Sequence, residues 1–439
     1  MCRACGHSQS HSRLRRATSG AVVVSCTHLT QIPYAICAVD IAGRVVRILR
    51  IGAVRTVRLI EGRDRALQRM RYPRFMAIRS VDGSVTLQVN VAPSDLPHAA
   101  TTLAHHLRQW RGQVDQVVYT LDLRKSTGPR GARYDEYKPG MLTLTKGLAA
   151  SSPRHRLVEV DYSDEAVNRV SKKFFGGVTP PTKDCTGAPF YGYFYGLAEV
   201  ETRYVLHMDC DLLFGGGSTV WLKEAIDLLR ARSDVLFVCP LAGPPAPTAR
   251  IPRRSRRAQR RTQMFGSEPV LEDDRTRTYR LRHVSTRIFV ADMQRFRQST
   301  PLTIMDAPPW TFGSDRSTTP YLPAETVLSR AMHDGSWLRL DYLGTAPGMW
   351  FLHPTQRGPA FSANLPNLIS AIESGAVPRS QEGTYELLDD WLDTVGPARF
   401  QRRRELPTAR TVLALGSRLT GARAVRNAIW RARWRRDHR

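Results

Sequence analysis

Two carboxylates one residue apart, Asp209 and Asp211, close the apolar run Tyr204-Val-Leu-His-Met, and apolar residues resume at Leu212-Leu-Phe214. Strand alternation turns both side chains to one face of a strand end. Hard carboxylate oxygens so placed suit Mg²⁺ or Mn²⁺ held against a diphosphate. Two unpaired carboxylates among apolar residues are costly to bury, and a cation offsets that cost. An isolated Asp-x-Asp also fits an ordinary turn; the strand context favours metal and nucleotide.

Other candidates stand at element ends. Asp122 closes Val117-Val-Tyr-Thr-Leu, and Ala92-Pro93 breaks the chain after Val85–Val91. Glu325 opens a helix from Ala324 to His333, where the helix dipole favours an acid by about 0.3–1 kcal/mol whether or not it does chemistry. His353 ends an apolar strand just before Pro354. Cys2-x-x-Cys5-x-His7 with His11 has the look of a metal cluster, but it lies among Ser and Arg without apolar neighbours to build a small fold.

The elements that position these residues alternate. Strands are expected at Val85–Val91, Val117–Asp122, Arg156–Asp161, Tyr204–Asp209, Asp234–Cys239, Val284–Val290, Trp337–Tyr342 and Met349–His353. Helices are expected from Pro97 to Trp110, within Gly187–Val200, at Val220–Ala231, at Ala324–His333, near Leu365–Ser374 and near Thr384–Val395. The aromatic residues of Gly187–Val200 read as core rather than a sugar-stacking platform. Alternating strand and helix predicts a parallel sheet with crossover helices, and ligands gather at the carboxyl ends of such strands. Pro93, Asp122 and Asp209 then share one rim.

The formal charge of +26 comes mostly from Arg and predicts attraction to phosphates. The seven scattered cysteines show no disulfide framework, which points to a reducing compartment. No run of about 18 apolar residues is present, so a cytoplasmic protein is expected. Residues 1–79 read as an Arg-rich, poorly ordered extension, residues 84–360 as the catalytic domain, and residues 361–439 as a helical basic region. Arg253–Arg261 reads as a loop that settles on an anion. The terminal stretch Gly421–Arg439 mixes Val425, Ile429, Trp430 and Trp434 with Arg, as interfacial helices do at the anionic inner face of a membrane.

In this order, the segments from about Ser84 to Pro354 resemble the metal-dependent glycosyltransferases of the GT-A fold, most closely the family 2-like group. The resemblance implies a Rossmann-like, mostly parallel twisted sheet flanked by helices, here with a basic N-terminal extension and a helical basic tail. It implies an inverting transfer of a sugar from a nucleoside-diphosphate sugar to an acceptor hydroxyl, with Mn²⁺ or Mg²⁺. The acceptor would be a glycan, lipid-linked or small. By the same resemblance Asp209, Asp211 and His353 hold the metal, Ala92, Pro93, Asp122 and Asp209 hold the nucleotide sugar, and Glu325 is the catalytic base. The family's usual Glu-Asp pair reads Ala324-Glu325 here, which leaves Asp306 and Asp315 as spare bases.

Two other classes compete. A sugar-phosphate nucleotidyltransferase shares the sheet but calls for a Gly-rich phosphate loop after the first strand, and Val91-Ala-Pro-Ser94 supplies none. A basic nucleic-acid-binding protein fits the charge but leaves the acidic pair without a role, and no specific nucleic acid is expected.

Overall fold

Side chains alternate between two cores along the strands that carry the site. Val117, Tyr119 and Leu121 enter one buried cluster with Trp110 and Trp221, while Val118 enters another with Phe174, Phe190 and Phe194. A strand apolar on both faces belongs inside a sheet covered by helices on each side. The computed structural model describes residues 38–41, 44–47, 83–126, 131–247, 268–307, 319–355 and 357–396. The Cys2/Cys5/His7/His11 group, Arg253–Arg261, Asp315 and the helix expected over Gly421–Arg439 lie outside them.

The chain divides into two compact units, residues 1–77 and 78–439. In the first, β1 (Ala38–Ile41) and β2 (Arg44–Arg47) pair antiparallel. In the second, β3 (Val85–Val91), β4 (Gln116–Leu121), β5 (His155–Glu159) and β6 (Tyr204–Asp209) run parallel in the order β5-β4-β3-β6. Parallel neighbours need long crossovers. These are α1 (Leu96–Gln109), α2 (Tyr134–Ala150), and α3 (Asp164–Phe174) with α4 (Tyr191–Ala198). Then β7 (Leu213–Gly215) and α5 (Trp221–Ala231) lead to β8 (Val235–Ala242).

Beyond β8 the expected mostly parallel sheet is corrected to a mixed one. The strands β9 (Val270–Asp273) and β10 (Thr278–Leu281) form an antiparallel hairpin, because Asp274–Arg277 is too short for a crossover. No helix separates β10 from β11 (Ile288–Asp292), which lies antiparallel between β6 and β8. The strand expected at Val284 thus starts at Ile288. After α6 (Met293–Phe296) and α7 (Ala324–Asp334), β12 (Leu338–Tyr342) again runs parallel to β8. The last strands are β13 (Trp350–Pro354), beside β7 and β8, and β14 (Glu386–Leu387). Between them lies α8 (Pro359–Glu373), and α9 (Asp389–Val395) follows. The helix expected from Thr384 is therefore shorter, its first turns being drawn into the sheet beside His353.

The helix α4 is buried along its whole length, as expected for core aromatics. Its glycines allow a close approach to the sheet. A Cβ on Gly196 would lie 2.6 Å from Gln88 Nε2 and 2.8 Å from Thr120 Oγ1. Gln88 Nε2 donates to Thr120 Oγ1 and to Asn90 Oδ1, each at 2.8 Å, and the Gln88 amide also meets His207. On the far side, Phe361, Leu365 and Leu368 of α8 share a core with Leu213, Trp350, Leu352 and Trp391. Among the described residues no helix is long and apolar enough to cross a membrane.

Candidate metal and nucleotide site

The acidic pair sits where β6 leaves the sheet. Asp209 pairs in register with Asn90 of β3, and its backbone N–H donates to the Arg287 carbonyl at 2.8 Å. The turn that follows is gripped from α1 by two buried histidines. Phe214 N–H donates to His105 Nε2 at 2.8 Å, and His106 Nε2 lies 2.7 Å from the Leu212 carbonyl. Because His105 Nε2 accepts, its proton is on Nδ1, which donates to Glu373 of α8 at 2.7 Å. Burial holds His106 down to about 3, so it too is neutral.

A cavity of about 490 Å³ opens over this edge. Ala92, Asp122, Asp209, Asp211, Glu325 and His353 all line it. Pro93 does not. It is buried in the single 3₁₀ turn Pro93–Asp95, whose Asp95 carboxylate accepts from Ala92 N–H at 2.9 Å, so its part is to shape the turn.

The two aspartates differ sharply in environment. Burial, then the neighbouring Asp211 charge, pushes Asp209 up to about 7. Burial would raise Asp211 too, but the Arg357 guanidinium and His353 outweigh it and hold that carboxyl well below the usual range. Arg357 Nη1 lies 3.0 Å from Asp211 Oδ2, and His353 Nε2 lies 3.5 Å from the same oxygen. Burial lowers His353, which favours the neutral imidazole needed for ligation. Asp211 Oδ1 and His353 Nδ1 are buried without a hydrogen-bond partner. An orphaned carboxylate oxygen beside a neutral imidazole suits a divalent cation.

Asp122 is already engaged. Its Oδ1 accepts from Arg124 N–H at 2.8 Å and Tyr162 O–H at 2.9 Å, and its Oδ2 accepts from Lys183 Nζ at 2.8 Å. Of roughly four acceptor sites on a carboxylate, one remains. Glu325 stands in the first turn of α7 and faces the cavity. Asp306 bridges to Tyr321 through its backbone and does not line the cavity.

Several lining residues carry no local sequence signal. Arg287 donates to Tyr385 O–H at 2.9 Å, while Arg339 and Asp341 form a buried pair at 2.5 Å. A further group, Asp95, His98 and Cys210, brings an oxygen, a nitrogen and a sulfur within 4.8 Å of one another, close enough to hold a metal ion. Among the described residues Asp209, Asp211 and His353 do not meet so closely: Asp211 and His353 touch, and Asp209 stands off.

No protein-family model matches the chain, and no curated protein matches it. Among solved structures it is similar to a mycobacterial protein at 12% identity and TM-score 0.31, over 66% of this chain and 73% of that one. It is also similar to residues 1–349 of TarS from S. aureus, at 12% identity and TM-score 0.32, over 68% and 67% of the two chains. A third is glucosyl-3-phosphoglycerate synthase from Mycobacterium tuberculosis in complex with Mn²⁺, UDP and glucosyl-3-phosphoglycerate, at 12% identity and TM-score 0.30, over 67% and 81%. At this identity and TM-score the likenesses carry nothing about donor, acceptor or chemistry.

Proposed function

We propose that this chain is a metal-dependent glycosyltransferase of the GT-A type, moving a sugar from a nucleoside-diphosphate sugar to an acceptor hydroxyl with inversion. One observation carries the reading. Asp209 and Asp211 sit at the carboxyl edge of parallel strands, in a cavity they share with His353, Arg287, Arg357 and Glu325. Ligands of such sheets bind at this edge.

When the sugar's anomeric bond to phosphate breaks, the bonding pair leaves with the diphosphate and negative charge grows there. Asp211 and His353, with Asp209 beside them, would hold Mn²⁺ or Mg²⁺, which supplies positive charge to that leaving group. Arg357 adds a guanidinium paired with Asp211, and its side chain is 40% exposed on the cavity side, where it can also meet the phosphates. Ala92 and Asp122 border the donor end of the cavity, where the remaining acceptor site of Asp122 can take an N–H from the base. Glu325 takes the proton of the acceptor hydroxyl as its oxygen bonds to the anomeric carbon. The basic stretch Gly421–Arg439 suits an anionic membrane surface and hence a lipid-linked acceptor.

The test is release of nucleoside diphosphate from a panel of nucleotide sugars with Mn²⁺ or Mg²⁺. Release with at least one donor, abolished by chelator and by Asp211→Asn, supports the reading. No release with any donor and a broad acceptor mixture counts against it.

A further inference from the structure

The geometry points to a second metal site, in the wall of the same cavity, in which Asp95, His98 and Cys210 bind Zn²⁺. It goes beyond the glycosyl-transfer reading and stands without it.

His98 is 2% exposed, and neither ring nitrogen has a hydrogen bond of ordinary length. Its Nδ1 has no partner, and its Nε2 stands 3.9 Å from both Asp95 Oδ1 and Cys210 Sγ. That separation is too long for an N–H···O bond to Asp95 and stands at the long limit of a sulfur hydrogen bond to Cys210. It is close to the spacing of two ligands on one tetrahedral zinc, which is roughly 3.3–3.5 Å for bonds near 2.0 and 2.3 Å. A contraction of about half an ångström would bring each of these two pairs to that spacing, and all three donors already lie within 4.8 Å of one another.

The donor set selects the metal. A thiolate, an imidazole and a carboxylate suit zinc and not Mg²⁺ or Mn²⁺, which prefer all-oxygen shells. Binding releases the Cys210 thiol proton to solvent, and thiolate and carboxylate together neutralise the dication. The site would join the first turn of α1 to the residue that lies between Asp209 and Asp211. Its role would be to fix that turn, with Asp209 and Asp211 left to face the cavity.

The experiment uses the full chain with Cys2→Ser and Cys5→Ser, because that terminal cluster could bind zinc on its own. Metal content by mass spectrometry, after purification without chelator, should be near one zinc per chain. It should fall at least tenfold in His98→Ala and in Cys210→Ser, and persist in Asp211→Asn. Should those variants fold poorly, Co²⁺ added to the Cys2/Cys5-free chain gives a second readout. A thiolate-to-cobalt charge-transfer band, removed by one equivalent of zinc, is expected. Zinc well below one per chain, zinc unchanged in both variants, or no charge-transfer band would overturn the site.

Discussion

The Arg357 guanidinium lies 3.0 Å from Oδ2 of Asp211 and is, among the described residues, the cation paired with that carboxylate at the shortest distance. The same nitrogen is 3.8 Å from Asp95 Oδ1. An Arg in this position holds the second aspartate ionised while the first takes up a proton. It also places a positive charge in the cavity where a diphosphate would arrive.

Arg357→Ala should therefore separate two affinities. Nucleoside-diphosphate binding in the presence of Mn²⁺ should weaken about tenfold or more, the loss expected for a charge-assisted contact of about 1.5–3 kcal/mol. Mn²⁺ alone should bind at least as tightly as before, since a competing cation has gone. Calorimetric titrations of each ligand check both; a weaker Mn²⁺ site with unchanged nucleotide binding would assign Arg357 elsewhere.

The raised Asp209 makes metal binding depend on pH. Its folded value of about 7 lies above the ordinary 3.8, so the folded protein holds the extra proton between those values. The associated stability is full below about pH 4 and is lost as pH rises through about 7 in the metal-free protein. A divalent cation must displace that proton. Mn²⁺ affinity should thus fall by about tenfold per pH unit as pH drops from 7 to 5.5. Asp209→Asn should remove the slope, as measured by Mn²⁺ titration at each pH.

Glu325→Gln keeps the shape of the side chain and removes the base. Turnover should drop by about 10²-fold or more, while nucleotide affinity stays within about twofold. Steady-state rates beside a binding titration decide this, because equal losses in both would reduce Glu325 to a helix-end charge.

Gly196→Ala tests the packing under the site. The new methyl would meet Gln88 and Thr120 at 2.6 and 2.8 Å, within a buried polar ladder that also reaches Asn90 and His207. Overpacking of this kind costs about 1–3 kcal/mol. Urea denaturation should show that loss; no loss would mean that α4 stands further from the sheet.

Much of the parallel half was legible from residue type. Val85, Leu87, Val89 and Val91 line one face of their strand and Tyr204, Leu206 and Met208 one face of theirs, and breakers bound both, so two sheet strands followed; the buried polar residues Gln88 and His207 on the other face gave no such signal. Other elements hid. Pro139, Gly140 and Gly147 lower the helical signal of α2, and a Cβ at Gly140 would meet Leu96 at 2.7 Å, so its glycine answers a tertiary contact. In α3 the helical signal lies at the ends: Ser163 caps Ala166 N–H, Asp164 and Glu165 fill the first turn, and Lys172 and Lys173 the last. The edge strand Val270–Asp273 is exposed along its length and shows no apolar alternation.

Asp209, Asp122, Glu325 and His353, singled out for their places at element ends, line one cavity. The site was not legible where it depends on contacts between distant segments. Arg357 reads from the sequence as a cation for a diphosphate, but its pairing with Asp211 depends on β13 lying beside β7, as the meeting of Cys210 with His98 depends on β6 lying beside β3. The spacing Asp95-x-x-His98 at the start of α1 was the one local hint of the latter group.

The central claim is that Asp209 and Asp211 bind a divalent ion together with a nucleoside diphosphate. Thermal shift across a panel of nucleoside diphosphates, each with and without Mn²⁺, tests it most directly. The account predicts that Mn²⁺ with one preferred nucleotide raises Tm clearly beyond the rise with Mn²⁺ alone, and that this added rise is lost in Asp211→Asn. A wild-type protein that no pair stabilises, or an Asp211→Asn protein that responds equally, would contradict it.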